Sequence, residues 1–269
     1  MKKFAMLCAL LAAGAMLFAG GNKEEAKGDQ SLQKVLDAKK FVLGLDDSFP
    51  PMGFRDENNE IVGFDIDVAR EVCGRLGVEL VPQPIDWNSK EQELNTGKID
   101  CIWNGFTMTD ERKQNMEFTD PYVKNAQVVV VKEDSPVKTL ADLSGKPVGV
   151  QAGSSGAEAI DDTPDFKNSV KEVIEYKDYL TALMDLEVGG VDAVVMDLLV
   201  ANDNINRSGK PFRILDESLA PEEYGVGFRK GDIALRDAVN DQMKAMAKDG
   251  SMAKIAEKWF GADITTIGK

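Results

Sequence analysis

The feature that most constrains the fold of this chain is a repeated alternation of short apolar segments and amphipathic segments after residue 31. The apolar segments have the length of buried strands, with clear examples at residues 41–45, 99–103, 127–131, 147–150 and 191–196. Segments with apolar residues at helical spacing lie between several of them. Repeated strand–helix units imply parallel sheets with helices on both faces. The alternation therefore predicts an α/β fold.

Polar residues that are suited to contacting a ligand come directly after several of these predicted strands. They are Asp46, the stretch at residues 105–107, the stretch at residues 151–155, and Asp197. In open α/β sheets, ligands bind outside the carboxyl ends of the strands. We therefore expect two such sheet edges, one from each of two lobes, to face each other across a cleft.

The stretch from residue 99 to residue 112 gives the strongest local indication of a binding site. Its apolar strand ends at Asn104-Gly105, a pair suited to a turn, and Thr109 is placed to cap the helix that follows. Arg112 then lies in the first turn of that helix, near Thr107. A guanidinium offers a planar fork and a positive charge to a carboxylate, and a hydroxyl adds a neutral donor. The alternative is an ordinary strand–turn–helix with a surface arginine paired to a neighbouring acid.

The composition excludes several classes of function. A formal net charge of −14 argues against binding nucleic acid or an anionic membrane. The chain has no histidine, so it cannot form a Ser-His-Asp or Cys-His apparatus or a histidine-ligated zinc site. Its cysteines, Cys8, Cys73 and Cys101, form no Cys-x-x-Cys pair. We expect no metal or cofactor, and a Cys73–Cys101 disulfide stays open beside buried free thiols.

The first 30 residues predict export from the cytoplasm. A basic start and an apolar stretch too short to span a membrane comfortably are typical of a secretory signal peptide, here residues 1–21. Residues 22–30 are polar and predict a flexible tether. The segment at residues 17–21 resembles a lipoprotein cleavage box, but Gly21 stands where the lipid-bearing cysteine would be. We expect a periplasmic or cell-surface protein, and Gly21 argues against a lipid anchor.

Several longer motifs occur in one order along the chain. They are GLD at 44–46, PPMGF at 50–54, VGFDIDVA at 62–69, GFTMTDER at 105–112, FTDPY at 118–122, VGVQAGSSG at 148–156, VDAV at 191–194 and YGVGFRK at 224–230. This series resembles the periplasmic (extracellular) solute-binding proteins of ABC importers for polar amino acids. That family includes glutamine-, arginine-, lysine/arginine/ornithine- and histidine-binding proteins. The resemblance covers essentially all of residues 31–262.

The resemblance implies the Venus flytrap fold of periplasmic binding proteins. Such a fold has two α/β lobes, each a mostly parallel sheet flanked by helices, which close over a ligand about two hinge crossings. Carried over to this chain, the parts are lobe one at residues 31–122 and 223–269, lobe two at residues 127–218, and hinges at residues 123–126 and 219–222.

The resemblance also implies how the charged ends of an amino acid would be held. Arg112 would clamp the α-carboxylate with help from Thr107 and the backbone of Gly105. The amides of Ser154 and Ser155, at the start of a helix, would approach the same carboxylate from lobe two.

The α-ammonium of the ligand would be received by Asp197, with Thr107 as a second acceptor. A zwitterion would then be bound by complementary charges contributed by both lobes. Closure would exclude water and thereby strengthen each contact.

The ligand side chain would occupy a subsite built from Asp46, Phe49, Trp87, Asn104 and Gln151. An aromatic slot that ends in a carboxylate suits a guanidinium or ammonium group through stacking, cation–π attraction and a charge-assisted hydrogen bond. It also suits a side-chain amide. The alternatives are that Phe49 and Trp87 only pack the core and that Asp46 caps a turn.

Taken together, the resemblance implies a monomeric, non-enzymatic protein that binds a free L-amino acid and delivers it to the membrane permease of an ABC importer. A basic ligand, arginine or lysine, is expected ahead of glutamine or another neutral polar amino acid such as cystine. One alternative is a dehydratase-like enzyme on the same fold, which would need a general acid in the cleft. Another is a sensor module that passes its ligand to a signalling receptor.

Overall fold

The computed structural model describes residues 28–269. The predicted signal peptide, the lipoprotein-like box, Cys8 and most of the predicted tether lie outside the described residues. Of the tether only residues 28–30 are described. There the carboxylate of Asp29 accepts hydrogen bonds from the backbone amides of Ser31, at 2.8 Å, and Ala234. These bonds attach the start of the described chain to a helix near its end.

The described residues form ten α-helices and thirteen β-strands, and two short 3-10 helices lie at Trp87–Ser89 and Leu140–Leu143. The strands are β1 (Lys40–Leu45), β2 (Ser48–Phe49), β3 (Gly53–Arg55), β4 (Ile61–Val62), β5 (Glu79–Pro84), β6 (Cys101–Ile102), β7 (Met116–Phe118), β8 (Val123–Lys132), β9 (Pro147–Gln151), β10 (Glu172–Tyr176), β11 (Ala193–Asp197), β12 (Phe212–Tyr224) and β13 (Gly227–Arg229). The helices are α1 (Ser31–Ala38), α2 (Phe64–Leu76), α3 (Lys90–Asn95), α4 (Asp110–Asn115), α5 (Ser155–Asp161), α6 (Pro164–Ser169), α7 (Tyr179–Val188), α8 (Leu198–Ser208), α9 (Ile233–Asp249) and α10 (Ser251–Phe260).

The strands build two five-stranded sheets of the same design, with a small three-stranded sheet of β2, β3 and β4 beside the first. The first sheet has the order β5-β1-β6-β13-β7 and the second the order β10-β9-β11-β8-β12. In each sheet the fourth strand, β13 or β8, runs antiparallel to both of its neighbours. The other four strands of each sheet run the same way, as β1 does beside β5 and β6. The two-lobed α/β fold with mostly parallel sheets is therefore confirmed. We call the part built on the first sheet lobe one and the part built on the second sheet lobe two.

The two antiparallel strands have a shared origin in the path of the chain. Each is the first strand that the chain adds to its sheet after it has crossed from the other sheet. The crossing segments belong to β8 and β12, which pair antiparallel with Asn125 opposite Glu222 and Val123 opposite Tyr224. The residues predicted as hinges, 123–126 and 219–222, lie within these two strands. Their role as hinges and the lobe boundaries stay predictions.

Strand β12 is much longer than the sequence indicates. The pattern predicts only a short strand at residues 212–215, because the segment that follows is rich in acids and contains a proline. The structure continues the strand to Tyr224, with shifts of pairing register between Ile214 and Ser218 and between Ser218 and Ala220. These irregularities break the alternation of apolar and polar residues on which strand prediction depends.

Apolar strands form the centres of both sheets. The run Val128–Val131 in β8 is buried on both faces, and Phe41, Leu43 and Leu45 of β1 are fully buried. Burial on both faces explains why these segments read as continuous apolar runs in the sequence.

Cys73 and Cys101 are free and buried, so the structure favours thiols over a disulfide. Burial raises the pKa of Cys73 to about 12, which leaves it an inert core residue.

Candidate functional site

Four strand ends meet where the two sheets face each other. Asp46 follows β1 and Asn104 follows β6 in lobe one, whereas Gln151 ends β9 and Asp197 ends β11 in lobe two. Parallel strands within a sheet present their carboxyl ends at one edge. The polar side chains that the sequence places after separate strands are therefore brought to one interlobe cleft.

A narrow cavity with room for about one water molecule lies in this cleft. Nine of the eleven residues predicted as ligand contacts line it, and they come from both lobes. The lining residues are Phe49, Trp87, Gly105, Thr107, Arg112, Gln151, Ser154, Ser155 and Asp197. The structure therefore brings together most of the predicted site, although contact with a ligand stays a prediction for each of them.

The remaining two predicted residues, Asp46 and Asn104, lie behind the lining. The Asp46 carboxylate accepts a hydrogen bond from Gln151 Nε2 at 2.7 Å, so the Gln151 amide connects it to the cavity. Asn104 Oδ1 accepts a hydrogen bond from the Asp46 backbone amide at 3.0 Å, and Asn104 Nδ2 is buried without a partner. Asn104 thus orients the strand end that carries Asp46. Burial raises the pKa of Asp46 to about 6, against hydrogen bonds that lower it.

Arg112 is held in place by its own helix start. Thr109 caps α4 by accepting a hydrogen bond from the Arg112 amide, as the sequence predicts. The guanidinium lies over the Phe106 ring at 4.7 Å from its centroid, and its Nη1 donates to the Thr107 carbonyl at 3.1 Å. Its Nη2 pairs with Glu158 Oε1 at 2.5 Å. The Nε–H has no partner although Arg112 is only 3% exposed. A buried guanidinium N–H without a partner at a cavity wall is suited to donating a hydrogen bond to an anion.

The turn that carries Gly105 is fixed from below by a buried acid. Gly105 has a φ of 56°, and its amide donates to Asp65 Oδ2 at 2.6 Å. The Tyr122 hydroxyl donates to the same oxygen at 3.0 Å. Burial raises the pKa of Asp65 to about 7. Because the Gly105 amide is already used in this way, the expectation that it assists with a carboxylate gains no support from the geometry.

Ser154 and Ser155 form the lobe-two wall of the cavity at the start of α5. Ser154 caps the helix by accepting a hydrogen bond from the Ala157 amide at 3.2 Å, and its own amide donates to the Gln151 carbonyl at 3.3 Å. The Ser155 hydroxyl donates to Thr107 Oγ1 at 3.0 Å, across the cleft. Two hydroxyl groups from opposite lobes therefore meet at the cavity wall.

Asp197 lies in lobe two and is buried. Its Oδ1 accepts hydrogen bonds from the Tyr224 hydroxyl at 2.6 Å and from Asn125 Nδ2 at 2.8 Å. Burial and the nearby charge of Glu222 together raise its pKa to about 7. Every hydrogen-bond donor that this carboxylate has is neutral, so it retains the capacity to attract a cation.

Aromatic rings flank the part of the cavity toward Asp46. Phe49 packs against Tyr179 of lobe two with ring centroids 5.9 Å apart, and Trp87 meets Phe106 edge to face at 5.8 Å. Both Phe49 and Trp87 line the cavity and are also part of the core. Packing and ligand contact are therefore compatible roles for these two residues.

Comparison with known families identifies the chain. Residues 41–262 match the family described as bacterial extracellular solute-binding proteins, family 3. The chain belongs to this family. The members are solute-binding proteins rather than enzymes, which removes the dehydratase-like alternative, and their association with ABC importers agrees with the resemblance drawn from the motifs.

Relatives of this solute-binding protein carry names for several amino acids. It is 33% identical over 262 residues to the L-cystine-binding protein of Escherichia coli, covering 96% of both chains. It is 32% identical to ABC transporter arginine-binding protein 1 of Escherichia coli, covering 83% of this chain and 91% of the relative. A crystal structure of a substrate-binding protein of an uptake transporter from Streptococcus pneumoniae with bound histidine superposes with a TM-score of 0.86, at 38% identity, covering 89% of this chain and 99% of that one.

The relatives are extracellular or periplasmic proteins, which agrees with the predicted export of this solute-binding protein. Within residues 28–269, no helix has both the length and the apolar character required to cross a bilayer. The same residues hold no cluster of acidic or cysteine side chains arranged for a metal ion.

Sequence reasoning missed three charged residues of this solute-binding protein that approach the site. Lys90 is 4% exposed, and its Nζ donates to the Gly153 carbonyl at 2.7 Å across the cleft. Burial lowers its pKa to about 8, with a further contribution from Arg112. Glu158 pairs with Arg112, and Glu222 accepts a hydrogen bond from Thr107. No motif marks these residues, because each reaches the cleft from an element that packs there only in the folded protein.

Proposed function

We propose that this protein binds a free L-amino acid with a polar side chain in the interlobe cavity. It then delivers the ligand to the membrane permease of an ABC importer from the periplasm or the cell surface. In this proposal it works as a monomer, and the ligand is released when the lobes separate.

The observation that carries the proposal is a pair of ionic groups of opposite sign at one cavity, each with bonding capacity left over. Arg112 presents a buried Nε–H without a partner. Asp197 presents a buried carboxylate whose hydrogen bonds come from neutral groups. Both residues line the same narrow cavity, which must widen by separation of the lobes to admit a ligand. The α-carboxylate and α-ammonium of an amino acid would neutralise one charge each, which is the complementarity that buried ionic groups require.

We propose arginine or lysine as the first choice of ligand. A cationic side chain would run between Phe49 and Trp87 toward Asp46, where the carboxylate now holds the Gln151 amide. A guanidinium or ammonium group would stack on the rings and replace or share that hydrogen bond. Glutamine is the neutral alternative, since its amide can donate to the same carboxylate.

A second candidate ligand is L-cystine, whose long side chain ends in a further ammonium and carboxylate. The relative that covers 96% of both chains is named for this amino acid. Lys90 lies near the aromatic slot, with its Nζ 5.3 Å from the centre of the Trp87 ring. In this alternative Asp46 would attract the second ammonium and Lys90 the second carboxylate. A cationic side chain would have no favourable charge interaction with Lys90, because both groups are positive.

The proposal is tested by a thermal-shift panel of L-amino acids on protein that has been unfolded and refolded to remove carried-over ligand. A ligand at 100 times its Kd should add about 2.7 kcal/mol of stability. For a chain of this size, that corresponds to a rise of roughly 5–10 °C in Tm. A rise with arginine or lysine supports the first choice, and a rise with glutamine or cystine selects an alternative. The absence of a rise with every amino acid would contradict the proposal.

A further inference from the structure

Glu222 lies on the crossing strand β12, where alternate residues face the same side of the strand. Tyr224, two residues later, shares that side and donates its hydroxyl to Asp197 Oδ1 at 2.6 Å. Glu223 lies between them and is exposed, and although it borders the same outer groove its side chain forms none of the hydrogen bonds to the cleft that Glu222 forms. The register of β12 against β8 places Glu222 opposite Asn125. The strand therefore directs one of its two adjacent glutamates toward the cleft.

Three neutral donors converge on one oxygen of Glu222. Its Oε2 accepts hydrogen bonds from Thr107 Oγ1 at 3.1 Å, from Asn125 Nδ2 at 3.0 Å and from Gln127 Nε2 at 3.0 Å. Thr107 lines the ligand cavity, and Glu222 lines a wider groove that meets the cavity at Thr107 and Ser155. The carboxylate of Glu222 thus stands at the junction of the cavity and the groove.

The same arrangement brings two carboxylates close together. Asn125 Nδ2 donates both to Glu222 Oε2 at 3.0 Å and to Asp197 Oδ1 at 2.8 Å. Among the described residues, no lysine or arginine nitrogen lies within the 4.0 Å ion-pair limit of either carboxylate. Two acids with neutral donors only, in a partly desolvated setting, repel each other and favour a cation between them.

We infer that Glu222 and Asp197 together form a two-carboxylate subsite for the α-ammonium group of the ligand. This inference rests on the amino-acid-binding function proposed above and adds a residue to it. Asn125 connects the two carboxylates, and the Thr107 hydroxyl, at the cavity wall, connects Glu222 to the cavity. The subsite selects ligands that carry a primary amine over otherwise identical acids that lack it.

The experiment compares ligands that differ only in the α-amino group. Isothermal titration measures the affinity of wild type, Glu222→Gln and Glu223→Gln for L-arginine and for 5-guanidinopentanoic acid, its des-amino counterpart. L-glutamine and glutaramic acid form a second pair with the same difference. Glu222→Gln should weaken the amino acid by about 10–100-fold through loss of a charge-assisted contact, and should change the des-amino acid by less than about twofold. Glu223→Gln, the matched control, should leave both within about twofold.

A second readout separates an ionic role of Glu222 from a structural one. Titration at pH 7 in two buffers of different ionisation enthalpy gives the number of protons released on binding. Asp197 faces Glu222 and Tyr224 of β12 and Tyr179 of α7, and its pKa lies at about 7 because burial and the Glu222 charge raise it. The ammonium of L-arginine should therefore displace a fraction of a proton in wild type, and a smaller fraction in Glu222→Gln.

The outcomes distinguish the two proposals. Failure of wild type to bind any L-amino acid would refute the amino-acid-binding function itself. Binding by wild type, with Glu222→Gln equally weakened toward the amino acid and its des-amino counterpart, would assign Glu222 a purely structural role and overturn the inference. Unchanged affinity and unchanged proton release in Glu222→Gln would also overturn it.

Discussion

The cavity has an arginine end at Arg112 and an acid end at Asp197 and Glu222, and these two ends differ in whether a group of opposite charge lies next to them. At the arginine end, a cation is already opposed by an acid from the other lobe, since Arg112 pairs with Glu158 while its Nε–H has no partner. At the acid end, Asp197 and Glu222 share neutral donors and have no cation. The first end already holds an acid against its guanidinium, whereas the two acids at the second end have only neutral hydrogen-bond donors.

This difference indicates how the two ends contribute to binding. In the proposed complex, a ligand carboxylate at Arg112 would complete a set of contacts that is already ordered, so this end would fix the position of the ligand. A ligand ammonium at Asp197 would relieve repulsion between the two acids, so this end would supply a charge-dependent part of the affinity. Four changes should affect the two ends by different amounts.

Removal of the guanidinium should have the largest effect. Arg112→Ala is expected to weaken every amino acid by at least about 100-fold, because it leaves the ligand carboxylate buried without its charged partner. The same variant also leaves Glu158 unpaired, but Glu158 is 36% exposed and can be solvated. Isothermal titration with the best ligand measures the loss, and circular dichroism checks the fold. Tight binding by the variant would remove Arg112 from the carboxylate site.

Neutralisation of the acid behind Gln151 should act on specificity. Asp46→Asn is expected to weaken arginine or lysine by about 10-fold or more and glutamine much less, because only the cationic side chain loses a charge-assisted hydrogen bond. The ratio of the arginine and glutamine dissociation constants is the quantity to measure. Asp47→Asn is the matched control, since Asp47 forms a surface ion pair with Arg55. An unchanged ratio would exclude Asp46 from ligand selection.

Acidification should weaken binding through the acid end. Asp197 must be ionised to attract an ammonium, and its pKa of about 7 is raised by burial and by Glu222. The affinity is therefore full above pH 7 and falls as the pH decreases, by about 10-fold from pH 8 to pH 6 for one displaced proton. Titration in matched ionic strength measures this slope. The des-amino counterpart serves as control and should lack the slope at Asp197. A flat profile for the amino acid would contradict the assignment.

Loss of the interlobe ion pair should have the smallest effect. Glu158→Gln is expected to change the affinity by less than about fivefold, because Glu158 is more than one-third exposed and its pair with Arg112 is screened by solvent. The comparison with Arg112→Ala then separates the interlobe contact from the ligand contact. A loss as large as that of Arg112→Ala would mean that the pair itself, rather than the free Nε–H, dominates closure.

Much of the fold and the lining of the site could be predicted from sequence, for a physical reason. Asp46, Gln151 and Asp197 each follow an apolar strand, and parallel strands bring their carboxyl ends to one edge. The turn at Gly105 and the cap at Thr109 are encoded by adjacent residues. Such local signals can be recognised in the sequence without knowledge of the tertiary structure.

The rest depends on contacts between distant segments. Glu222 reaches the cleft only because β12 continues past two register shifts and pairs with β8. Lys90 enters the site because its Nζ finds the Gly153 carbonyl across the cleft. The hydrogen bond from Gln151 to Asp46, which leaves Asp46 behind the residues that line the cavity, is likewise a contact between the lobes. The pattern of apolar and polar residues within one segment does not indicate which distant residue its side chains will contact.

The paired crossing strands have a consequence for the pace of transport. β8 and β12 connect the lobes, and they also carry Asn125, Gln127 and Glu222 to the edge of the cavity. If these strands act as the predicted hinge, a substitution that changes ligand preference there also alters the ribbon about which the lobes would separate. We therefore expect substitutions at Asn125, Gln127 or Glu222 to change ligand preference and the rate of ligand release together.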